Sequence, residues 1–218
     1  MKVAVCARRR ERLYAWCDNI GDTTETMAVT ADLRDEADIQ RMFGQIRDAW
    51  GGVDVLVNNA GLGHAAPLMT GDTEAWREML EVNVLALCVC TREAIADMRG
   101  RGDCGHVVHI SSMAAHRVPP GSGVYSASKY AVRALTEGLR AELRAAQSGI
   151  RVTAVSPGYV ETEFAEHYHN SAEAARKTYG RYKVLAAADV ANAVTYILSQ
   201  PDHVQIHDVL LRPTDQPS

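Results

Sequence analysis

The sequence has no apolar stretch approaching the roughly 20 residues of a membrane-crossing helix. Its longest runs, such as Val84 to Val89, fall far short, and no basic segment followed by an apolar one opens the chain. A soluble, cytoplasmic protein without a membrane span is expected. An excess of one charge is also lacking: 23 Lys and Arg stand against 27 Asp and Glu, for a net charge of -4. No overall field therefore draws the chain to nucleic acid or to an anionic membrane, and any anion it binds is bound locally. Paired cysteines are missing as well. Cys6, Cys17, Cys88, Cys90 and Cys104 make an odd set without a disulfide spacing, so reduced thiols are expected. Cys88 and Cys90 fall in a helical pattern, where side chains two apart diverge, and no second pair accompanies them. His167 and His169 would converge only in a strand, and the segment around them reads as helix or loop. No metal site is expected.

What is present is the usage of a globular protein, 47% apolar and 23% charged over 218 residues, with no linker or repeat, so residues 1–218 read as one domain. Short apolar runs alternate with longer stretches of helical period, the pattern of βαβ units around a parallel sheet. The runs are Val3 to Ala7, Thr26 to Asp32, Val53 to Asn58, His106 to Ser111, Ile150 to Ser156 and Gln205 to Leu211. Ile39, Met42, Phe43, Ile46 and Trp50 recur at helix spacing before Gly51 and Gly52, a stop signal. Further helices are predicted from about Thr73 to Met98, from about Tyr125 to Gln147, and from Asp189, as N-cap, to about Ser199 with Val190, Val194, Ile197 and Leu198 inward. The stretch from Glu161 to Leu185 reads as irregular.

Chemistry gathers at the ends of the predicted strands. Asn58-Asn59-Ala60-Gly61 follows a buried strand, where doubly wound sheets bind ligands, although Asn and Gly are also ordinary turn residues. Trp76, Leu80, Asn83 and Leu87 fall on one helical face, so Asn83 is expected to be buried. Such an amide is either satisfied by nearby backbone or holds a water or a catalytic group. The next strand delivers Ser111 and Ser112, and thirteen residues after Ser112 comes Tyr125, with Lys129 one helical turn beyond. An ammonium beside a phenol favours the phenolate and lowers its pKa from about 10, giving a tunable proton donor. Ser112 could hydrogen-bond the same oxygen that Tyr125 protonates. No side chain supplies a hydride, so a reduction here needs a nicotinamide.

Asn58 to Gly61, Asn83, Ser112, Tyr125 with Lys129, and Ser156-Pro157-Gly158 with Thr162 together resemble the ordered motifs of the short-chain dehydrogenase/reductase family. Val84 to Cys88, Cys90 to Glu93, Ala134 to Arg140 and Arg212 to Gln216 look closest to that family's member-eleven subgroup and its farnesol-dehydrogenase relatives. The resemblance implies a Rossmann-like, doubly wound α/β sheet. It also implies NADP(H)-dependent reduction of carbonyls or oxidation of alcohols on steroid, isoprenoid or small dicarbonyl substrates, and a homo-oligomer. By the family pattern Tyr125 is the acid/base, Lys129 lowers its pKa and holds the nicotinamide ribose, Ser112 orients the substrate and Asn83 anchors a relay water. Pro157, Gly158, Val160 and Thr162 would flank the nicotinamide. Asp32 and Leu33 would border the adenine, and Asn59, Ala60 and Gly61 the adjoining ribose. Arg8 and Arg9 stand where the family reads the adenosine ribose, and arginines there pair with the 2'-phosphate of NADP. Arg10 and Arg12 read as a solvated helix start.

One departure stands out. The family's first strand, its Gly-rich loop and its first helix have no match in this sequence, and Met1-Lys2-Val3 resembles the start of the second strand. The expectation is a doubly wound sheet lacking its first, central strand and the loop that cradles the cofactor pyrophosphate. Either the start is an internal methionine of a longer enzyme, or this is a shortened, inactive form acting as a binding or partner protein.

Overall fold

The computed structural model describes residues 1–20 and 24–217. Val3–Ala7 (β1) and Thr26–Thr30 (β2) run parallel, in register from Val3 opposite Thr26 to Ala7 opposite Thr30. They are joined through the helix Arg10–Ile20 (α1). Residue 32 was expected within the second strand. Instead the Asp32 N–H turns away from the ladder to the Asp38 carboxylate at 2.9 Å. The next helix, Glu36–Trp50 (α2), is capped by the Asp35 side chain and closed by Gly51 in the left-handed region at φ 81°. It buries Ile39, Met42, Phe43 and Ile46.

The second part of the chain alternates Val55–Asn58 (β3), Thr73–Leu80 (α3), Ala86–Gly100 (α4), His106–Ile110 (β4), Gly123–Ala145 (α5), Arg151–Pro157 (β5) and, near its end, Asp208–Leu211 (β8). These strands pair in parallel in the order β3-β4-β5-β8. β4 and β5 are buried on both faces, as parallel strands covered by helices should be. Val53 was expected in the third strand. Its N–H goes to the Asp97 carboxylate, so the ladder begins two residues later. The last strand likewise starts at Asp208, because the Gln205 side chain takes the Val152 N–H at 3.2 Å.

The long helix predicted from Thr73 is interrupted by a π turn over Glu81–Leu85, between α3 and α4. The wider turn breaks the 3.6-residue phase. Leu80 is consequently 46% exposed while Asn83 is 2% exposed, although the even period placed them on one face. The stretch from Glu161 to Leu185 is not irregular. It contains two short paired strands, Val160–Glu161 (β6) and Leu185–Ala186 (β7), and the helices Phe164–His169 (α6) and Ala172–Tyr179 (α7). The final helix is Ala187–Leu198 (α8), and Asp189 lies inside it rather than at its cap, accepting the Ala186 N–H at 2.8 Å.

Among the described residues β1-β2 and β3-β4-β5-β8 are separate sheets with no ladder between β1 and β3. One core nevertheless runs under both, packing Cys6, Met27 and Val29 with Leu56, Val107, Val152 and the buried faces of α2 and α4. On β3, Val55 and Val57 are about two-fifths exposed, at 40% and 39%, so one face of that strand lacks the cover its neighbours have. No described helix is long and apolar enough to cross a membrane.

Candidate active site

Parallel strands send their carboxyl ends to one edge of a sheet, and the loops leaving those ends carry the ligand groups of such folds. Arg8 and Arg9 follow β1, Asp32 and Leu33 follow β2, Asn59 to Gly61 follow β3, Ser111 and Ser112 follow β4, and Gly158 follows β5. Asn59, Ala60 and Gly61 are exposed, while the Asn58 amide turns inward and donates to the Thr91 hydroxyl at 2.9 Å. A Cβ at Gly61 would lie 3.4 Å from both Lys129 Nζ and Asn83 Oδ1. Glycine thus leaves an open backbone surface beside the lysine, which a flat ring or ribose can approach.

Ser112 is extended at the end of β4 and caps the short 3-10 turn Met113–Ala115, its hydroxyl accepting from the Ala114 N–H. Tyr125 and Lys129 occupy the first two turns of α5. Lys129 is 5% exposed, its ammonium donates to the Ile110 carbonyl at 3.1 Å, and it stands 5.9 Å from the Tyr125 ring centroid. Burial pushes Lys129 down to about 8. Burial also pushes Tyr125 up to about 12, against the lowering effect of its hydrogen bond with Ser112. The lysine was expected to bring the phenol down; in this structure its ammonium is turned to the Ile110 carbonyl, burial sets the direction, and Ser112 is the group that opposes it.

A stability consequence follows from the lysine. Its folded pKa of about 8 lies below the ordinary 10.5. The unfolded chain therefore binds more protons between those values, and stability rises with pH across that window. Below about pH 8 the burial cost is fully present. Lys129→Met should stabilise the fold at pH 7 by roughly 1–3 kcal/mol, with the gain fading toward pH 10. Thermal unfolding at the two pH values checks both sign and trend.

Asn83 lies within the π turn and is satisfied by protein groups. Its Oδ1 accepts from Leu62 N–H at 2.9 Å, and its Nδ2 donates to the Leu62 carbonyl at 2.8 Å and to Ser128 Oγ at 3.0 Å. The two Leu62 contacts bracket the loop that leaves Gly61.

Sequence reasoning missed the aromatic cover. Phe164 and Tyr168, one turn apart on α6, stack at 6.1 Å and stand 5.5 Å and 6.2 Å from the Tyr125 ring. A Cβ at Gly63 would come within 2.8 Å of both Phe164 and Tyr168, so the loop must be glycine there for the cover to close. The Ala65 N–H fastens it to the Tyr168 carbonyl at 2.9 Å. The available signal was the i, i+4 aromatic pair, hidden by the mixed charge around it. Thr162 lies at the root of this cover, its hydroxyl accepting from the Phe164 N–H and its carbonyl from the Tyr179 hydroxyl. Pro157 ends β5, and Val160 is drawn into the β6-β7 pair. Gln216, also missed, folds back so that its side-chain oxygen takes the Tyr159 N–H at 3.0 Å. A Cβ at Gly158 would run into that Gln216 side chain and into Arg212.

The charged groups near the ends of β1 and β2 are already partnered in part. Arg34 grips Asp32 with two guanidinium nitrogens, which holds that carboxyl well below its usual range, at about 2. Arg9 pairs with Glu163 at 2.9 Å and Arg12 pairs with the same carboxylate, so Arg12 is not merely solvated and both arginines reach across to the root of α6. Arg10 stacks on Tyr14. Arg8 is held more loosely, with Glu78 4.0 Å away.

A family model described as short chain dehydrogenase matches residues 1–173. Among curated proteins, dehydrogenase/reductase SDR family member 11 of Bos taurus is 50% identical over 223 aligned positions, covering 99% of this chain and 88% of that protein. Farnesol dehydrogenase of Aedes aegypti is 38% identical, covering 99% of this chain and 87% of its own length. Among solved structures, the closed form of a serine dehydrogenase complexed with NADP+ superposes with a TM-score of 0.92 at 33% identity, covering 100% of this chain and 87% of that one.

Proposed function

Because this chain belongs to the short-chain dehydrogenase/reductase family, we propose that it is an NADP(H)-dependent oxidoreductase that reduces carbonyls or oxidises alcohols, with Tyr125 moving the proton. The observation that carries this reading is the convergence of Ser112, Tyr125 and Lys129 beside the open backbone of Gly61. Bound nicotinamide supplies or accepts the hydride, which no side chain here can do. The chain's own groups do the rest. Tyr125 gives its proton to the carbonyl oxygen, Ser112 donates to the same oxygen and holds it in place, and the Lys129 ammonium stabilises the phenolate left behind. Lys129 would also hold the nicotinamide ribose, and Asn83 would anchor a relay water beside the loop it brackets. Phe164 and Tyr168 exclude bulk water from the phenol and favour an apolar substrate of the steroid, isoprenoid or small dicarbonyl type. Loss of NADPH absorbance with a panel of such carbonyls tests the activity. A panel that leaves NADPH unoxidised would overturn it.

NADP(H) is preferred over NAD(H) because the family pattern assigns Arg8 and Arg9, just past β1, to the 2'-phosphate. Neighbours solved with NADP support this. Arg8, whose carboxylate neighbour is 4.0 Å away against 2.9 Å for Arg9, is the better probe. Arg8→Glu should lower the preference for NADPH over NADH by at least about 10-fold, as dissociation constants from fluorescence titration. An unchanged ratio would remove Arg8 from the phosphate site.

Among the described residues β1 and β3 each pair on one side only, which supports a further reading: one more parallel strand would lie between them, followed by the family's Gly-rich loop as the pyrophosphate cradle. Exposed Leu80, Leu85 and Tyr130 on the two long helical stretches support a homo-oligomer formed through those faces.

A further inference from the structure

Beneath the catalytic groups lies a chain of buried polar side chains that the chemistry above does not use. His109 of β4 is 1% exposed, between Thr136 of α5 at 2% and Thr91 of α4 at 8%. Its Nδ1 lies 2.9 Å from Thr136 Oγ1 and its Nε2 lies 3.3 Å from Thr91 Oγ1. The proton positions follow from counting donors. Thr136 has one hydroxyl proton and spends it on the Val132 carbonyl at 2.7 Å, so toward His109 it can only accept, and Nδ1 must carry the ring proton. A neutral ring then accepts at Nε2, which Thr91 serves with its own proton. Burial pushes His109 down to about 4, which keeps the ring neutral at pH 7. The remaining lone pair of Thr91 takes the Asn58 Nδ2 donor at 2.9 Å. The chain runs in one direction, from Asn58 through Thr91, His109 and Thr136 to Val132, with each proton used once.

The placement of its members gives the chain a purpose. Tyr125, Lys129 and Thr136 are i, i+4 and i+11 on α5, hence on one face. His109 and Ser111 alternate on one face of the strand that delivers Ser112, and Ser111 Oγ approaches the Lys129 carbonyl at 3.5 Å. Asn58 opens the segment that ends in Gly61. A single imidazole thus ties together the three elements that carry the proposed reaction. We infer that His109, fixed as its Nδ1–H tautomer, is a positioning residue that sets the register of α5, and with it the phenol of Tyr125, against the ends of β3 and β4. This rests on the oxidoreductase reading above.

The test uses the whole protein. Nitrogen-15 NMR of histidine-labelled protein should show one resonance pair with the Nδ1–H pattern and slow exchange with solvent. An Nε2–H pattern, or averaging between tautomers, would overturn the inference. Thr136→Val preserves shape but removes the acceptor and should lower kcat for carbonyl reduction by roughly 10-fold, since a misplaced reacting group costs rate. The NADPH dissociation constant and the substrate KM should stay within about twofold, because neither contact is touched. Thr136→Ser and His109→Gln, which retain a donor and an acceptor, should recover most of the rate. Equal kcat in Thr136→Val, or equal losses in kcat and binding, would overturn the inference. Should the unsubstituted protein oxidise no NADPH, the oxidoreductase reading falls. Amide exchange then still decides the positioning role: Thr136→Val should speed exchange across residues 125–129 roughly 10-fold relative to α2, and unchanged exchange would end it.

Discussion

Tyr125→Phe should lower kcat for carbonyl reduction by about 10^2–10^4-fold while NADPH binding stays within about twofold. The substitution keeps the ring, so the contacts with Phe164 and Tyr168 survive and the first turns of α5 keep their packing. What goes is the single proton that Ser112 and Lys129 are arranged around. Because burial holds the phenol up at about 12, it stays protonated throughout the neutral range and is ready to donate to a carbonyl. Ser112 alone can polarise the carbonyl but cannot deliver a proton without taking one from elsewhere. Steady-state rates with a reducible carbonyl, set beside a fluorescence titration with NADPH, separate the two effects. Retained turnover would overturn the assignment of Tyr125, and a parallel loss of binding would make its role one of shape.

A version with a parallel strand and a Gly-rich loop fused ahead of Val3 should bind NADPH at least about 10-fold more tightly, equivalent to about 1.4 kcal/mol. Two physical terms point the same way. Among the described residues β1 and β3 each pair on one side only, and an added strand would supply ladder partners for the other side. An inserted strand would satisfy both edges and cover Val55 and Val57. A glycine loop leading into a helix would also add backbone N–H groups aimed at the pyrophosphate. Equal affinities for the two versions would refute the strand-and-loop reading and leave the ends of β1, β2 and β3 as a sufficient cofactor cradle.

Most of the sheet was legible because parallel strands buried on both faces write themselves as mostly apolar runs, as in Val107 to Ile110, broken only by His109, and Val152 to Val155, broken only by Thr153. Boundaries slipped where a side chain replaced a ladder bond: Asp38 at Asp32, Asp97 at Val53, Gln205 at Val152. No local pattern announces such long-range partners. The break of phase at Glu81–Leu85 was invisible for a related reason, since a π turn has no residue signature and shows itself only in the contradictory burial of Leu80 and Asn83. Ser112, Tyr125 and Lys129 do come together, and their spacing was the readable part. Their acidities were not readable, because burial depends on Phe164, Tyr168 and Gly63, brought in from distant stretches.

The fastening of the Tyr159 amide by Gln216 joins the loop beside Gly158 to the last turn of the polypeptide, where Arg117 also grips the Pro217 carbonyl. Gln216→Ala would therefore release the Tyr159 amide and open space beside Gly158, a loop 57 residues back along the chain.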